Sequence, residues 1–342
     1  MSVGTTETVV PFVAGDGHPL NLVHVEGTRA AVRGPVLLVH GAGVRANLFR
    51  PPTDETVVDA LLDAGWDVWL LNWRASIDLA PTEWTLDAAA VHDHPAAVRT
   101  VSEQTGSPTL RAVVHCQGST SFMMSLVAGL LPQVTSVVSN AVSLHPVIPL
   151  WSRLKIHNAV PLVARFTQFI DPAWGDNPPT LLSKAIVTTV RATHRECHNS
   201  VCRMVSFTYG AGFPALWRHE NLNEATHDWL RHEFGAVPMS FFRQMDRCAA
   251  RGHLVRVTDE PALPASVVAQ PPQTDARIAL LAGQRNRCFL PESQERTFRW
   301  LDMHRPGYHA LHRFDRYGHL DIFLGARAAT DIFPTILKEL EQ

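Results

Sequence analysis

Apolar residues in this chain fall into two alternating patterns. Short unbroken runs are separated by stretches in which they recur every three or four positions. "PVLLVH" (35–40) is an unbroken run that stops at Gly41, "DETVVDALLDAGW" (54–66) has helical spacing, and "DVWLLNW" (67–73) is unbroken again. "DHPAAVRTVSEQTG" (93–106) predicts a helix with Pro95 in its first turn and Gly106 at its end. A strand "LRAVVH" (110–115) then meets a helix "QGSTSFMMSLVAGLL" (117–131) closed by Pro132, followed by a strand over "VTSVVSNAVSL" (134–144). Further on, "ARIALLAG" (276–283) and "LHRFDRYG" (311–318) read as strands, with helices between and after them. Strands that are apolar throughout are covered on both faces, so the pattern predicts an α/β fold around a mostly parallel sheet.

The alternation stops between 146 and 271. This stretch is rich in aromatic residues, Trp151, Tyr209, Phe213, Trp217 and Phe242 among them, and reads as a mainly helical cap seated on the sheet. The proline-rich "DEPALPASVVAQPPQTD" (259–275) reads as its return linker. Residues 1–145 and 272–342 then form one core. With 46% hydrophobic and 18% charged residues, the composition suits a globular protein with a sizeable core. A formal charge of −2, with acids and bases mixed, argues against a nucleic-acid partner. No run approaches the roughly 20 apolar residues of a membrane span. Neither a basic-then-apolar leader nor a regular spacing of the five cysteines is present, which points to a reducing cytoplasm and free thiols.

The chemistry begins at "VHCQG" (114–118). A strand ending in a nucleophile, then x-Gly, then a helix describes the nucleophile elbow of α/β-hydrolases, here with Cys116 in the serine's place and Val114 at the first small position. Gly118 and the small residues after it let the helix approach the strand, and the helix N-terminus favours a negative sulfur. The plain alternative is a small buried thiol that only packs. "LLVHGAGVRANLF" (37–49) supplies His40 and Gly41 in a turn that, in this fold, brings a second amide to the oxyanion. The backbone N–H groups of Ala42 and Gln117 are therefore the expected oxyanion donors. "RYGHLDIFLG" (316–325) puts His319 just after the last strand, the place for the base, with His304, His309 and His312 as alternatives. Three residues past Gly283 the chain has Asn286, where an aspartate is usual. A cysteine can hand its proton to histidine before attack, so an amide oxygen accepting from the imidazole would suffice to hold the ring. Glu292 or Asp315 could supply a carboxylate instead.

"VHGAGVRANLF", "GWDVWLLNWR", "DHPAAVRTVSEQTG", "LRAVVHCQGST" and "YGHLDIFLG" resemble segments of the acid and gastric lipase branch of the α/β-hydrolases. "FTYGAGFPALWRHENLN" and "FGAVPMSFFRQM" resemble the caps of hydrolase modules found with cholesterol-oxidase-like flavin oxidoreductases. The resemblance implies an eight-stranded sheet, a helical lid and acyl-transfer chemistry carried by Cys116, His319, Gln117 and Ala42, with the family's aspartate missing at Asn286. An oxidoreductase partner is implied by the resemblance alone. The expected substrate is a small apolar acyl ester or thioester, with water as acceptor. Transfer to an alcohol or amine, as in polyester synthases, and an inactive ligand-binding protein are the rival readings.

Three other features carry weaker signals. "HRECHNSVC" (194–202) offers His194, Cys197, His198 and Cys202, but the spacing fits no standard zinc pattern, and helix packing or a local thiol pair explains it better. In "VHDHP" (91–95) His92, Asp93 and His94 read as a helix start. Arg74 and Asp78 in "LNWRASIDLAP" could rim the site, with a structural Arg–Asp pair the stronger reading. No organic cofactor or metal is expected: "GAG" at 41–43 lacks the rest of a dinucleotide fingerprint.

Overall fold

The computed structural model describes residues 4–210 and 215–342, so Phe213 lies outside the described residues. Among the described residues one sheet of eight strands forms the centre: β1 (Thr6–Val13), β2 (Pro19–Glu26), β3 (Pro35–Val39), β4 (Asp67–Asn72), β5 (Leu110–His115), β6 (Val134–Asn140), β7 (Arg277–Gly283) and β8 (Ala310–Phe314). They lie in the order β1-β2-β4-β3-β5-β6-β7-β8. β2 is antiparallel to β1 and β4, and the remaining neighbours are parallel. The apolar runs follow from burial on two sides. Leu37 and Val39 of β3 join one core with Val114 and Phe122, while Val36 and Leu38 join another with Val68, Val113 and Phe333.

The core helices that matter for the site are α1 (Val57–Asp63), α2 (His94–Thr105) and α3 (Cys116–Val127). α1 starts at a capping box in which Thr56 and Asp59 satisfy each other's backbone N–H. Gly106, at φ 67, ends α2 in the left-handed conformation glycine adopts without penalty. Asp93 does not cap α2, contrary to the helix-start reading. It is buried, and its carboxylate takes the Arg74 guanidinium at 2.5 Å. The Arg–Asp pair is thus present with a different partner, since Asp78 pairs with Arg45 at 3.1 Å. α3 is buried along its whole length. Its small hydroxyl residues fit there because each finds a partner, as Ser119 does with Ser139 at 2.6 Å.

β6 stops at Asn140, short of the expected 144, because Ala141 at φ 57 turns the chain out of the sheet. Between β6 and β7 lie α4 (Leu150–Val163), α5 (Leu181–Thr193), α6 (Ser200–Tyr209), α7 (Glu224–Trp229) and α8 (Met239–Arg251). Trp217, Phe234 and Phe241 from this segment share one continuous core with Trp73, Trp84 and Phe122 of the sheet layer. The aromatic stripe is therefore largely packing, although Trp151 and Phe166 are exposed. After β7 come α9 (Pro291–His304), α10 (Asp321–Leu324) and α11 (Phe333–Leu340). Among the described residues no helix is long and apolar enough to cross a membrane.

Candidate active site

β5 runs directly into α3, and Cys116 at the junction has φ 55. A non-glycine residue held there stores on the order of 1–3 kcal/mol, which the surrounding structure must offset. The two glycines beside it exist for close approach. A Cβ on Gly118 would run into the His40 carbonyl oxygen, and one on Gly41 would sit 2.9 Å from the Cys116 Cβ. The end of β3 and the start of α3 can therefore press together around the thiol. The backbone amides of Gln117 and Ala42 lie near the Cys116 sulfur, where each favours its negatively charged form. The Ala42 turn is pinned from several directions. Tyr209 Oη donates to the Ala42 carbonyl at 2.9 Å, Trp73 Nε1 donates to the His40 carbonyl at 2.9 Å, and His40 Nδ1 donates to the Gly41 carbonyl at 2.7 Å.

His319 follows β8 and is fully buried. Its N–H donates to the Leu216 carbonyl at 3.1 Å, and its own carbonyl accepts from Asn140 Nδ2 at 2.9 Å. A ring nitrogen of His319 and one of His115 both lie within 4.8 Å of the Cys116 sulfur. His304, Glu292 and Asp315 are exposed, His309 Nδ1 accepts from the Ile278 N–H, and His312 pairs with Glu339. None of these alternatives is placed against the thiol.

Asn286 meets the His319 ring, with Asn286 Nδ2 and His319 Nδ1 3.0 Å apart. The sense of this bond is opposite to the expected one. Asn286 Oδ1 is occupied by the backbone N–H groups of Cys288 (2.9 Å) and Phe289 (3.2 Å). Turning the amide over would place its NH2 against two more donors, so the oxygen stays with the backbone. Nδ2 can only donate, which makes His319 Nδ1 the acceptor and puts the ring proton on Nε2, the nitrogen that a base must keep free. His319 Nε2 is buried without a hydrogen bond among the described residues.

The charge state differs from expectation in the same direction. Burial pushes the Cys116 thiol up to about 12, outweighing the two amide donors, and pushes His319 down to about 3. The resting pair is a neutral thiol beside a neutral imidazole, and not the thiolate–imidazolium expected from the helix N-terminus. A carboxylate at 286 would satisfy both neighbours at once, one oxygen for the two amides and one for Nδ1–H. An amide serves only one of them.

Above the sulfur is a narrow apolar cavity of ≈ 40 Å³, lined by Cys116, Gln117, Ile148, Tyr209, Phe241 and Phe289 among others. A second, of ≈ 50 Å³, lies between α4 and α8 and shares Ile156, Thr208 and Phe242 with the first. Small-molecule sites typically hold about 300–1,000 Å³, so the space over the sulfur is narrow for an acyl chain. The Gln117 side-chain oxygen is buried and has no hydrogen bond among the described residues.

Pattern reading overlooked three residues. Asn140 donates to both His115 Nδ1 (2.9 Å) and the His319 carbonyl, tying the His115 ring to the His319 main chain. A polar residue closing an otherwise apolar strand end was the available signal. His115 and Tyr209 carried none. Among the described residues two groups present metal-ligating atoms within 4.8 Å of one another: His115, Cys116 and His319 at the elbow, and Cys197, Cys202, His219 and His227 in the inserted segment. The second group keeps the two cysteines of "HRECHNSVC" but neither of its histidines.

The chain belongs to the family described as alpha/beta hydrolase fold, which matches residues 34–326. It is similar to human lipase member K, with 27% identity over 221 residues, 60% of this chain and 52% of that protein. It is also similar to a poly(3-hydroxyalkanoate) polymerase subunit of Haloferax mediterranei, with 29% identity over 134 residues, 39% of this chain and 26% of that one. The chain spans about half or less of the length of the curated relatives it matches. Among solved structures, an esterase of Pyrococcus furiosus superposes with a TM-score of 0.54 at 11% identity, covering 98% of this chain and 90% of that one, a likeness of fold.

Proposed function

We propose that the protein is an acyl-transfer enzyme acting on an apolar ester or thioester through a cysteinyl acyl-enzyme, with water as the default acceptor. The observation that carries this reading is the strained Cys116 at the strand–helix junction, with the Gly41–Ala42 turn packed against it and a His319 ring nitrogen within 4.8 Å of the sulfur. Donors fixed before the reaction are the largest single source of stabilisation for an oxyanion. Residues 146–271 act as the lid, and the apolar lining selects the acyl chain. A reducing cytoplasm suits five free cysteines.

The reaction needs His319 Nε2 free, so Asn286 must first turn its amide and let Oδ1 accept from Nδ1–H. The turn gives up the two bonds from Cys288 and Phe289, at roughly 1–2 kcal/mol each. The Cys116 proton then passes to Nε2 as the sulfur attacks the carbonyl carbon. Ala42 and Gln117 hold the resulting oxyanion. Collapse breaks the bond to the alcohol or thiol leaving group, which takes the proton from Nε2, and a thioester remains on Cys116. Water attacks the thioester and gives its proton to Nε2. The second collapse releases the carboxylic acid and returns the proton to sulfur.

Transfer to an alcohol or amine is the second reading. The similarity to a polyester polymerase supports it, as does the narrow apolar cavity, in which the unpaired Gln117 oxygen could accept from an incoming hydroxyl or amine. Pre-steady-state kinetics with p-nitrophenyl esters of increasing chain length test the proposal. A burst of nitrophenol approaching one equivalent, lost in Cys116→Ala and in His319→Ala, supports it. Equal turnover by wild type and Cys116→Ala rejects the thiol as nucleophile. A catalytically idle binding protein would give no burst yet retain saturable ligand binding.

A further inference from the structure

The four-residue group in the inserted segment lies apart from the acyl chemistry and needs its own explanation. We propose that Cys197, Cys202, His219 and His227 bind one Zn²⁺ ion in a closed tetrahedral site that cross-links the lid's own segments beside the loop holding the catalytic histidine. Their ligating atoms lie within 4.8 Å of one another, and Cys202 Sγ is already 3.4 Å from His219 Nε2. A zinc tetrahedron built from bonds of about 2.0–2.3 Å has edges of roughly 3.3–3.8 Å, so small side-chain rotations complete the site. His227 Nε2 is shielded from solvent and makes no hydrogen bond among the described residues. The rings of His219 and His227 meet edge to face at 4.9 Å, as two imidazoles directed at one point do.

The backbone around the site is held in advance. Asn199 caps α6 by accepting from the Cys202 N–H at 3.0 Å, and it donates through Nδ2 to the His227 carbonyl at 2.8 Å. Arg203 Nε donates to the Cys197 carbonyl at 2.6 Å. One residue set therefore fixes the loop before α6, the first turn of α6 and the C-terminal part of α7. A disulfide between Cys197 and Cys202 would leave both histidines without a role. Binding releases one proton from each thiol to solvent, leaving a neutral complex of one Zn²⁺, two thiolates and two imidazoles. With four protein ligands no position stays open for water, so the ion is structural.

Its mechanical position is informative. α6 carries Thr208 and Tyr209 to the cavity over Cys116. Flanking His219, the Arg218 N–H (3.4 Å) and Asn221 Nδ2 (2.6 Å) both donate to the Asp321 carboxylate, two residues beyond His319. The ion thus braces the part of the lid that both roofs the cavity and hydrogen-bonds to Asp321 in the loop of the base.

The test is metal analysis of the full chain purified without chelator from zinc-supplemented medium. About one zinc per chain is expected, falling to background in Cys202→Ser and His219→Ala and unchanged in His198→Ala, an exposed neighbour. Should the ligand variants fail to fold, Co²⁺ titration of the chelator-stripped wild type gives the same answer. A thiolate-to-cobalt charge-transfer band saturating near one equivalent, and displaced by Zn²⁺, supports the site. Absence of both bound zinc and that band overturns it, as does zinc retained in folded Cys202→Ser. A chain lighter by two hydrogens, with the Cys197 and Cys202 peptides cross-linked, overturns it in favour of a disulfide.

Discussion

Around Cys116 the thiol stands at the end of a parallel strand, strained at φ 55, facing a cavity and two backbone donors. Around Cys202 the thiol lies in the first turn of a helix, facing another thiol and two imidazoles. Both clusters use cysteine and histidine at similar separations, yet they are suited to different chemistry. The elbow leaves one direction from the sulfur open and lines it with apolar side chains, so a carbonyl carbon can approach. The cluster in the inserted segment instead sets its two sulfurs among ligand atoms within 4.8 Å of one another. Residue type alone does not separate a nucleophile from a metal ligand; the backbone around the sulfur does.

The largest effect that would sharpen this contrast is acid sensitivity on the elbow side. Burial holds His40 near 4, and His94 and His319 near 3. A ring whose folded pKa is lowered contributes stability that is full above about 6.5 and is lost as pH falls toward the folded value. At pH 5 each of the three rings should cost about 2 kcal/mol relative to pH 7.5, or roughly 6 kcal/mol together. Urea unfolding at the two pH values measures this, and a stability unchanged between them would break the picture of a neutral, buried elbow.

Next in size is Asn286→Asp. The carboxylate satisfies the Cys288 and Phe289 amides and His319 Nδ1–H simultaneously, so the amide turn disappears. A gain of about 30-fold or more in kcat is expected, corresponding to the roughly 2–4 kcal/mol of that turn. A loss of activity would show that the amide donor to Nδ1 is part of the working geometry. The resting thiol can be read separately by iodoacetamide. With the Cys116 thiol raised toward 12, its alkylation should rise about tenfold per pH unit through pH 6–9. A plateau at low pH would identify a thiolate–imidazolium pair instead. The smallest change expected is in Tyr209→Phe. Loss of the bond to the Ala42 carbonyl loosens one oxyanion donor, and a drop of about three- to tenfold in kcat with little change in KM would follow.

The parallel core and its elbow were legible because two-sided burial writes itself as unbroken apolar runs, and because Gly41 and Gly118 are forced by close approach. The hairpin β1–β2 was not legible: β1 is an exposed edge strand carrying Pro11, so its apolar and polar positions do not separate. Asn286 could be placed from its distance past Gly283. The direction of its amide could not, because two backbone donors in the following turn set it, and a turn's hydrogen bonds depend on tertiary packing. Arg74 found a carboxylate as expected, but folding brought Asp93 to it instead of the nearby Asp78. The cap cluster was half visible. Cys197 and Cys202 stand close in sequence, while His219 and His227 reach them only when α7 folds back against the start of α6, which spacing along the chain does not reveal.

One measurement bears most directly on the acyl-enzyme. Wild-type protein is incubated with a panel of p-nitrophenyl esters and acyl thioesters, quenched in acid, weighed intact and digested. The account predicts a mass increase of one acyl group, located on the peptide containing Cys116, removed by hydroxylamine and missing from Cys116→Ala. Turnover of the same substrates with an acyl group trapped on another residue, or with the Cys116→Ala variant fully active, would contradict it.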